Sequence, residues 1–150
     1  AAAVITSSAA DWQVRATGSL LLPDSREAMG WTIGDHGFEM SLSPEVPDLI
    51  RRHLRGWLSE WLGGLGVRIE EVGSWAIHPG GPSILRGAGE ALGLSDSQLA
   101  ASRAVLAECG NMSSPTVLFI IDRLRRADAP RPCVALAFGP GLVAEAALIA

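Results

Sequence analysis

The sequence predicts an α/β fold, and three observations carry that expectation. Residues 11–22 alternate, with Trp12, Val14, Ala16, Gly18, Leu20 and Leu22 on one face and Gln13, Arg15, Thr17 and Ser19 on the other, the period-two pattern of a half-buried strand. From about Ser43 or Glu45 to Leu62, the residues Val46, Leu49, Ile50, Leu54, Trp57, Leu58, Trp61 and Leu62 recur at helical spacing, against a polar face of Asp48, Arg51, Arg52, Arg55 and Glu60. That is an amphipathic helix. Further on, short apolar runs at 75–77 and 133–138 are separated by helical stretches, so strands and helices alternate, with buried strands and a buried helix among them. At 150 residues the chain is long enough for one domain with a sizeable core, and it shows neither an internal repeat nor an internal domain boundary.

In order, Pro23-Asp24-Ser25 ends the first strand, and residues 29–35 are interrupted by glycine and read as irregular. After the turn Asp35-His36-Gly37, residues 38–42 alternate again as a short strand. Gly63-Gly64 is expected to stop the long helix. Residues 75–77 read as the end of a short buried strand, because Pro79, Gly80, Gly81 and Pro82 forbid both continued strand and immediate helix. Residues 84–92 form a helix whose Gly87 and Gly89 weaken it but admit a close neighbour. Ser95-Asp96 opens a helical region that runs on to a stop at Gly110. Ser114-Pro115 is a helix start, with Ser as N-cap and Pro at the first helical position. Residues 116–121 are apolar all round and predict a helix buried on every side, up to the charged end Asp122, Arg123, Arg125 and Arg126. After the linker turn 130–132 comes a strand over 133–138, then Gly139-Pro140-Gly141. Propensity alone would make residues 142–149 a helix, but a three-residue turn after a strand predicts the second arm of an antiparallel hairpin.

Composition narrows the function. A content of 48% hydrophobic and 19% charged residues is that of a folded globular chain. The net charge of −4 argues against nucleic acid. All 12 basic residues are arginine and tyrosine is absent, a coding bias more than a binding patch. Cys109 and Cys133 have neither CxxC nor Cys/His spacing, so no metal site and no disulfide scaffold is indicated, and a reducing cytoplasm fits. No apolar run reaches the length of a membrane span, and Ala1-Ala2-Ala3-Val4-Ile5 has no basic targeting region.

Polar chemistry gathers at two turns. His78 stands at the mouth of the strand that ends at Ile77, and Asn111 sits in the tight loop Cys109-Gly110-Asn111-Met112-Ser113-Ser114-Pro115. Both side chains are placed to face one cavity. A plain structural alternative stays open, with His78 a satisfied buried histidine and Asn111 supplying a left-handed turn. His53 and His36 read as surface histidines, since no second ligand has metal-site spacing to either. Gly87-Ala88-Gly89 is not a nucleotide fingerprint, because it lies within a helical pattern and lacks the third glycine at the required spacing.

Taken together, His78-Pro79-Gly80-Gly81-Pro82-Ser83-Ile84-Leu85, Gly110-Asn111-Met112-Ser113-Ser114 and Phe138-Gly139-Pro140-Gly141-Leu142 resemble, in order and spacing, the C-terminal half of chalcone and stilbene synthase-like type III polyketide synthases. The likeness extends over nearly the whole chain. It implies the thiolase-like fold, of which this would be the C-terminal half: a mixed sheet with helices on both faces and one central helix buried, the helix of residues 116–121. Residues 1–150 would be the C-terminal domain, with residues 1–5 resembling the strand just after the halves join. The N-terminal half, with its nucleophilic cysteine, would be absent; neither Cys109 nor Cys133 matches that cysteine.

The resemblance also implies roles. His78 and Asn111 match the histidine and asparagine of the family's Cys-His-Asn triad, and Phe38 matches a gatekeeping phenylalanine between the coenzyme A tunnel and the cavity. Gly81, Pro82 and Ser83 match the loop that touches the pantetheine arm. Ser113, Phe138, Gly139, Pro140 and Gly141 match further substrate-binding positions, with Ala137 where many members have Gly. Gly30-Trp31-Thr32-Ile33-Gly34-Asp35-His36-Gly37-Phe38 is closer to bacterial members than to plant ones. The implied activity is an acyltransferase that condenses an acyl-CoA starter with malonyl-CoA by decarboxylative Claisen chemistry. Coenzyme A thioesters would be its substrates, with no separate cofactor and no metal, and His78 would also help to hold the cysteine as thiolate. Two alternatives are a ketoacyl-carrier-protein synthase III-like enzyme, which would more often show His-Gln-Ala-Asn and Gly-Asn-Thr-Ser, and a non-catalytic dimerisation domain. The expected partners are acyl-CoA, malonyl-CoA and the N-terminal half, with a homo-oligomer in solution.

Overall fold

The alternating first segment forms β1 (Val14–Leu21), a strand of the computed structural model, which describes residues 12–150; the expectation for residues 1–5 lies outside the described residues. Its even-numbered residues Ala16, Gly18 and Leu20 are half-buried while their odd-numbered neighbours are exposed. The close of the chain forms the hairpin anticipated from Gly139-Pro140-Gly141. β5 (Cys133–Gly139) and β6 (Val143–Ile149) pair antiparallel, so the turn outweighs the helical propensity of the alanines. β4 (Ser74–Ile77) lies parallel to β5, and β1 closes the other side, giving a mixed sheet in the order β1-β6-β5-β4.

Successive residues of β5 point to opposite faces and define two cores. Val134 and Leu136 join a cluster with side chains of the long helix, among them Ile50, Leu54 and Leu58, whereas Cys133 and Ala135 join Val105 and Ile120 on the other face. The first face is covered by α1 (Val46–Gly64) and α2 (Pro82–Leu92). The second is covered by α3 (Asp96–Cys109) and α4 (Pro115–Arg126). Glycines set the helix spacing at α2: a Cβ on Gly87 would lie 3.0 Å from the Pro47 carbonyl oxygen, and one on Gly89 would lie 2.6 Å from Leu99 Cδ1. Ser95 opens α3 as expected, in a capping box with Gln98.

Several expectations need correction. Residues 29–35 are not irregular: β2 (Met29–Gly34) pairs antiparallel with β3 (Gly37–Leu42) in a separate two-stranded sheet. The glycines at 30, 34 and 37 all fall on one face of this hairpin, so they thin that face without breaking the pairing. α1 runs through Gly63 and Gly64 to a C-cap at Leu65, and the chain turns at Gly66 with φ of 74°. Ser114 stands at the N-cap position of α4 in helical conformation and makes no side-chain cap; the Thr116 hydroxyl accepts the Met112 amide instead, at 2.9 Å. Nor is α4 buried on every side within this chain. Ile120 is fully buried, but Leu118 and Phe119 are 39% and 40% exposed, because only one face of the helix meets the sheet. His36 is exposed and His53 half-buried at the edge of the apolar face of α1. Among the described residues no helix is long and apolar enough to cross a membrane.

Candidate functional site

The mixed sheet presents His78 at the end of β4. Pairing continues one residue past the strand, with the His78 amide donating to the Leu136 carbonyl at 2.7 Å. Pro79 then removes the next donor, and the chain leaves the sheet. Among the described residues β4 is an edge strand, and an edge strand leaves amides without a ladder partner. The Ile77 amide, facing that open edge, donates to the hydroxyl of Ser102 at 3.2 Å. Ser102 is fully buried on α3, so the backbone immediately before His78 is held from both sides.

Asn111 enters from the loop between α3 and α4. Gly110 turns the chain out of α3 with φ of 68°, and Ser113 takes φ of 62°. The left-handed positions are therefore Gly110 and Ser113, and Asn111 is not the turn residue of the plain alternative. Its carboxamide instead spans the two loops: Oδ1 accepts the Ser113 amide at 2.8 Å, and Nδ2 donates to the Gly80 carbonyl at 3.0 Å. These two bonds fix which end of the amide is nitrogen. One N–H of Nδ2 stays free of both.

His78 and Asn111 line one cavity of about 660 Å³. Of the positions anticipated from sequence, Ser113, Phe138, Gly139 and Pro140 line it too, as does Ala137. Phe38, Gly81, Pro82, Ser83 and Gly141 do not. Phe38 sits near the tip of the β2–β3 hairpin, 70% exposed, with an edge-on contact to the cavity-lining Trp31 at 6.4 Å between ring centres. Ser83 lines a neighbouring cavity that shares the walls Leu42 and Ile84. Gly81 is the extended N-cap of α2, and Pro82 its first residue. Gly141 lies in the turn behind the cavity, where its carbonyl accepts the buried hydroxyl of Ser25 at 3.0 Å. Sequence reasoning missed the hairpin side chains Met29, Trp31, Met40 and Leu42, which also line the cavity. For Met29 and Trp31 the signal was their alternation at every second residue, hidden by Gly30 between them, whereas Met40 and Leu42 lie on the strand already read over 38–42.

Among the described residues no Asp, Glu or Arg lines the cavity. The His78 Nδ1 atom is buried with no hydrogen-bond partner among the described residues, and desolvation lowers the ring's pKa from its ordinary 6.5. The neutral imidazole is thus favoured. Between the depressed folded pKa and 6.5 the unfolded chain binds more protons than the folded one, so stability is full above 6.5 and is lost as pH falls through that window. Replacing His78 with Gln should flatten this acid-side loss. Urea midpoints at pH 7.5 and pH 5 check it, and equal declines in both proteins would show that His78 is not the group responsible.

The cysteines do not complete a nucleophilic pair. Cys133 is fully buried on β5, and burial pushes its thiol up to about 11, far from a thiolate at neutral pH. Cys109 is exposed at the end of α3 and does not line the cavity. Among the described residues no group of three or more His, Cys, Asp or Glu is placed to hold a metal ion. A separate cavity of about 620 Å³ lies along residues 21–28 and carries Asp24, Arg26, Glu27 and Glu45, with neither His78 nor Asn111 on its walls.

The family model for the C-terminal domain of chalcone and stilbene synthases matches residues 13–150. A 1,3,6,8-tetrahydroxynaphthalene synthase of Streptomyces peucetius subsp. caesius is 40% identical over 144 residues, covering 93% of this chain and 38% of that protein. The type III polyketide synthase pspB of Penicillium soppii is 34% identical over 154 residues, covering 92% of this chain and 39% of that protein. The crystal structure of PKS-I from the brown alga Ectocarpus siliculosus superimposes with a TM-score of 0.88 at 28% identity, over 92% of this chain and 39% of that one. The fold is thiolase-like, and the chain spans well under half the length of these relatives. By its sequence over residues 13–150 and by its fold, the chain belongs to the chalcone and stilbene synthase family, in the part that forms the family's C-terminal domain.

Proposed function

We propose that this chain supplies the enolate-stabilising half of a type III polyketide synthase active site. It works joined to an N-terminal half that bears the cysteine nucleophile, and it condenses an acyl-CoA starter with malonyl-CoA. The observation that carries the reading is that His78 and Asn111 reach one largely uncharged cavity from two separate loops, which the Asn111 carboxamide ties together.

Such an arrangement suits decarboxylation. When a malonyl thioester loses carbon dioxide, the electron pair of the broken C–C bond moves onto the thioester as an enolate. Its oxygen then needs fixed donors where water does not compete. His78 offers a ring N–H on Nε2, since Nδ1 is buried without an acceptor, and Asn111 offers the second N–H of Nδ2. The enolate carbon attacks the acyl-cysteine carbonyl, the new C–C bond forms, and the cysteine sulfur leaves as thiolate. Decarboxylation supplies the electron pair, so coenzyme A thioesters enter as substrates and no further cofactor is invoked. A cysteine thiolate beside His78 would supply the negative charge that the cavity lacks, and would raise the depressed pKa of the ring. The test is release of acetyl-CoA from malonyl-CoA by the enzyme that pairs this half with its cysteine-bearing half; no release at neutral pH would refute the proposal.

The apolar surface fits the same reading. Trp31, Ile33, Phe38 and Met40 on the hairpin are all more than half exposed, and Leu118 and Phe119 on α4 are about 40% exposed. That is the sort of surface a soluble monomer seldom leaves open. In the joined enzyme the cysteine-bearing half covers part of it. By itself the chain is expected to self-associate through the same side chains, as a homodimer or larger oligomer. Sedimentation as a clean 15.7 kDa monomer at micromolar concentration, with no binding of an apolar dye, would contradict this.

A further inference from the structure

A hydroxyl buried in a protein needs a partner, because leaving it unpaired away from water is costly. Among the described residues the buried polar side chains are all hydroxyls, those of Ser25, Ser74, Ser102 and Thr116. Ser25 donates to the backbone carbonyls of Leu22 and Gly141, and Ser74 to that of Pro130. Ser102 and Thr116, both fully buried, do the reverse: they accept backbone amides, and both amides adjoin a polar residue of the cavity. The Ile77 amide, one residue before His78, donates to Ser102 Oγ at 3.2 Å, and the Met112 amide, one residue after Asn111, donates to Thr116 Oγ1 at 2.9 Å.

Their places in the chain give these bonds a further consequence. Ser102 lies on α3, which leads through Gly110 to Asn111, and Thr116 lies in the first turn of α4, which follows the same loop. The Ser102 bond therefore joins the unit that bears Asn111 to the strand that bears His78. Nearer the cavity, the Asn111 carboxamide closes the same link through the Gly80 carbonyl. His78 and Asn111 are thus tied at two levels, by a buried bond behind them and by an exposed one between their loops.

Resting on the function proposed above, we propose that Ser102 and Thr116 are positioning residues for decarboxylation, which keep the N–H donors of His78 and Asn111 converged on one enolate oxygen. Neither lines the cavity, so both act through the backbone. An amide that loses its acceptor in the interior is left unpaired, and the segment shifts until it finds another partner or water. A misplacement of about 1 Å can lower a rate by about 100-fold.

The experiment measures kcat and KM for acetyl-CoA release from malonyl-CoA, per folded enzyme, in the protein that pairs this half with its cysteine-bearing half. Thr116→Val keeps the volume and loses the acceptor. It should lower kcat about tenfold or more with KM little changed, and Thr116→Ser, which keeps the hydroxyl, should restore most of the rate. Ser102→Ala should show the same signature, with Ser102→Thr as its hydroxyl-keeping counterpart. Should Ser102→Ala not fold, Ser102→Cys takes its place, close in volume with only a weak sulfur acceptor. Ser74→Ala removes a buried hydroxyl at the other end of β4, and should lower the urea midpoint while leaving kcat per folded enzyme unchanged. In an Asn111→Ala background Thr116→Val should cost little further rate, because the group it positions is gone; a full additional loss would overturn the role of Thr116. Unchanged kcat per folded enzyme in the Thr116 and Ser102 variants, or an equal loss in Ser74→Ala, would overturn the assignment, since the hydroxyls would then serve stability alone. A wild type that releases no acetyl-CoA would bring down the proposed function and this assignment with it, whereas an active wild type with unaffected variants would bring down the assignment alone.

Discussion

Replacing His78 with alanine, in the enzyme that pairs this half with its cysteine-bearing half, should lower acetyl-CoA release from malonyl-CoA by about 100- to 1000-fold, the usual cost of removing one donor to a developing oxyanion. The fold should survive. His78 is only half-buried, and its Nδ1 has no partner to lose, so truncation also removes an unpaired polar atom from the interior. Asn111→Ala should cost a similar factor in rate but also some stability. It breaks the bonds to Gly80 and Ser113, each worth about 0.5–1.5 kcal/mol. Asn111→Asp separates the two effects, since it keeps an oxygen for the Ser113 amide and loses the N–H. Its rate should fall like that of the alanine variant while the link to Ser113 survives. Near wild-type decarboxylation by either His78→Ala or Asn111→Asp would show that the residue is not an enolate donor. Circular dichroism and urea midpoints on the same proteins guard against confusing a lost donor with a lost fold.

Trp75→Ala, three residues upstream of His78, should have the opposite signature. Trp75 is 1% exposed on β4 and is packed into the cluster shared with α1 and α2. Truncating a buried Trp to Ala typically costs about 3–5 kcal/mol, because the cavity left behind is only partly refilled. Against the 5–15 kcal/mol or so that holds a domain together, that is a large share. The urea midpoint should fall sharply with the slope unchanged. Because β4 delivers His78 to the cavity through the Leu136 and Ser102 contacts, activity should be lost with the fold and recovered when the folded fraction is restored by lower temperature or a stabilising osmolyte. A loss of less than about 1 kcal/mol would mean that the neighbourhood of Trp75 collapses to fill the space.

Much of this molecule is legible in local pattern. The alternation of β1, the apolar stripe of α1, the helix start at Ser95-Asp96 and the turn at Gly139-Pro140-Gly141 each express a rule that acts within a few residues, and each element formed where its rule applies. His78 and Asn111 were legible as well, since proline and glycine punctuation marks the mouths of strands and helices, and the motifs around them resemble those of a known family. What local pattern missed was settled by partners distant in sequence or by packing geometry. The β2 strand was hidden because glycine weakens a strand considered by itself, whereas pairing with β3 places all three glycines on one face and leaves the other continuous. Helix α4 was expected to be buried all round because hydrophobicity records what a residue prefers; how much of it this chain can cover depends on which face meets the sheet. Phe38 fell outside the cavity and Trp31 inside it for a related reason. The stagger of the hairpin over His78 is set by the antiparallel register and by the neighbouring elements, and neither of these is written in the segment itself. Local order along the chain was enough to place most of the elements and the two polar turns at His78 and Asn111. Which side chains share the cavity with those turns came from the assembled fold, because cavity walls are built from segments far apart in the chain.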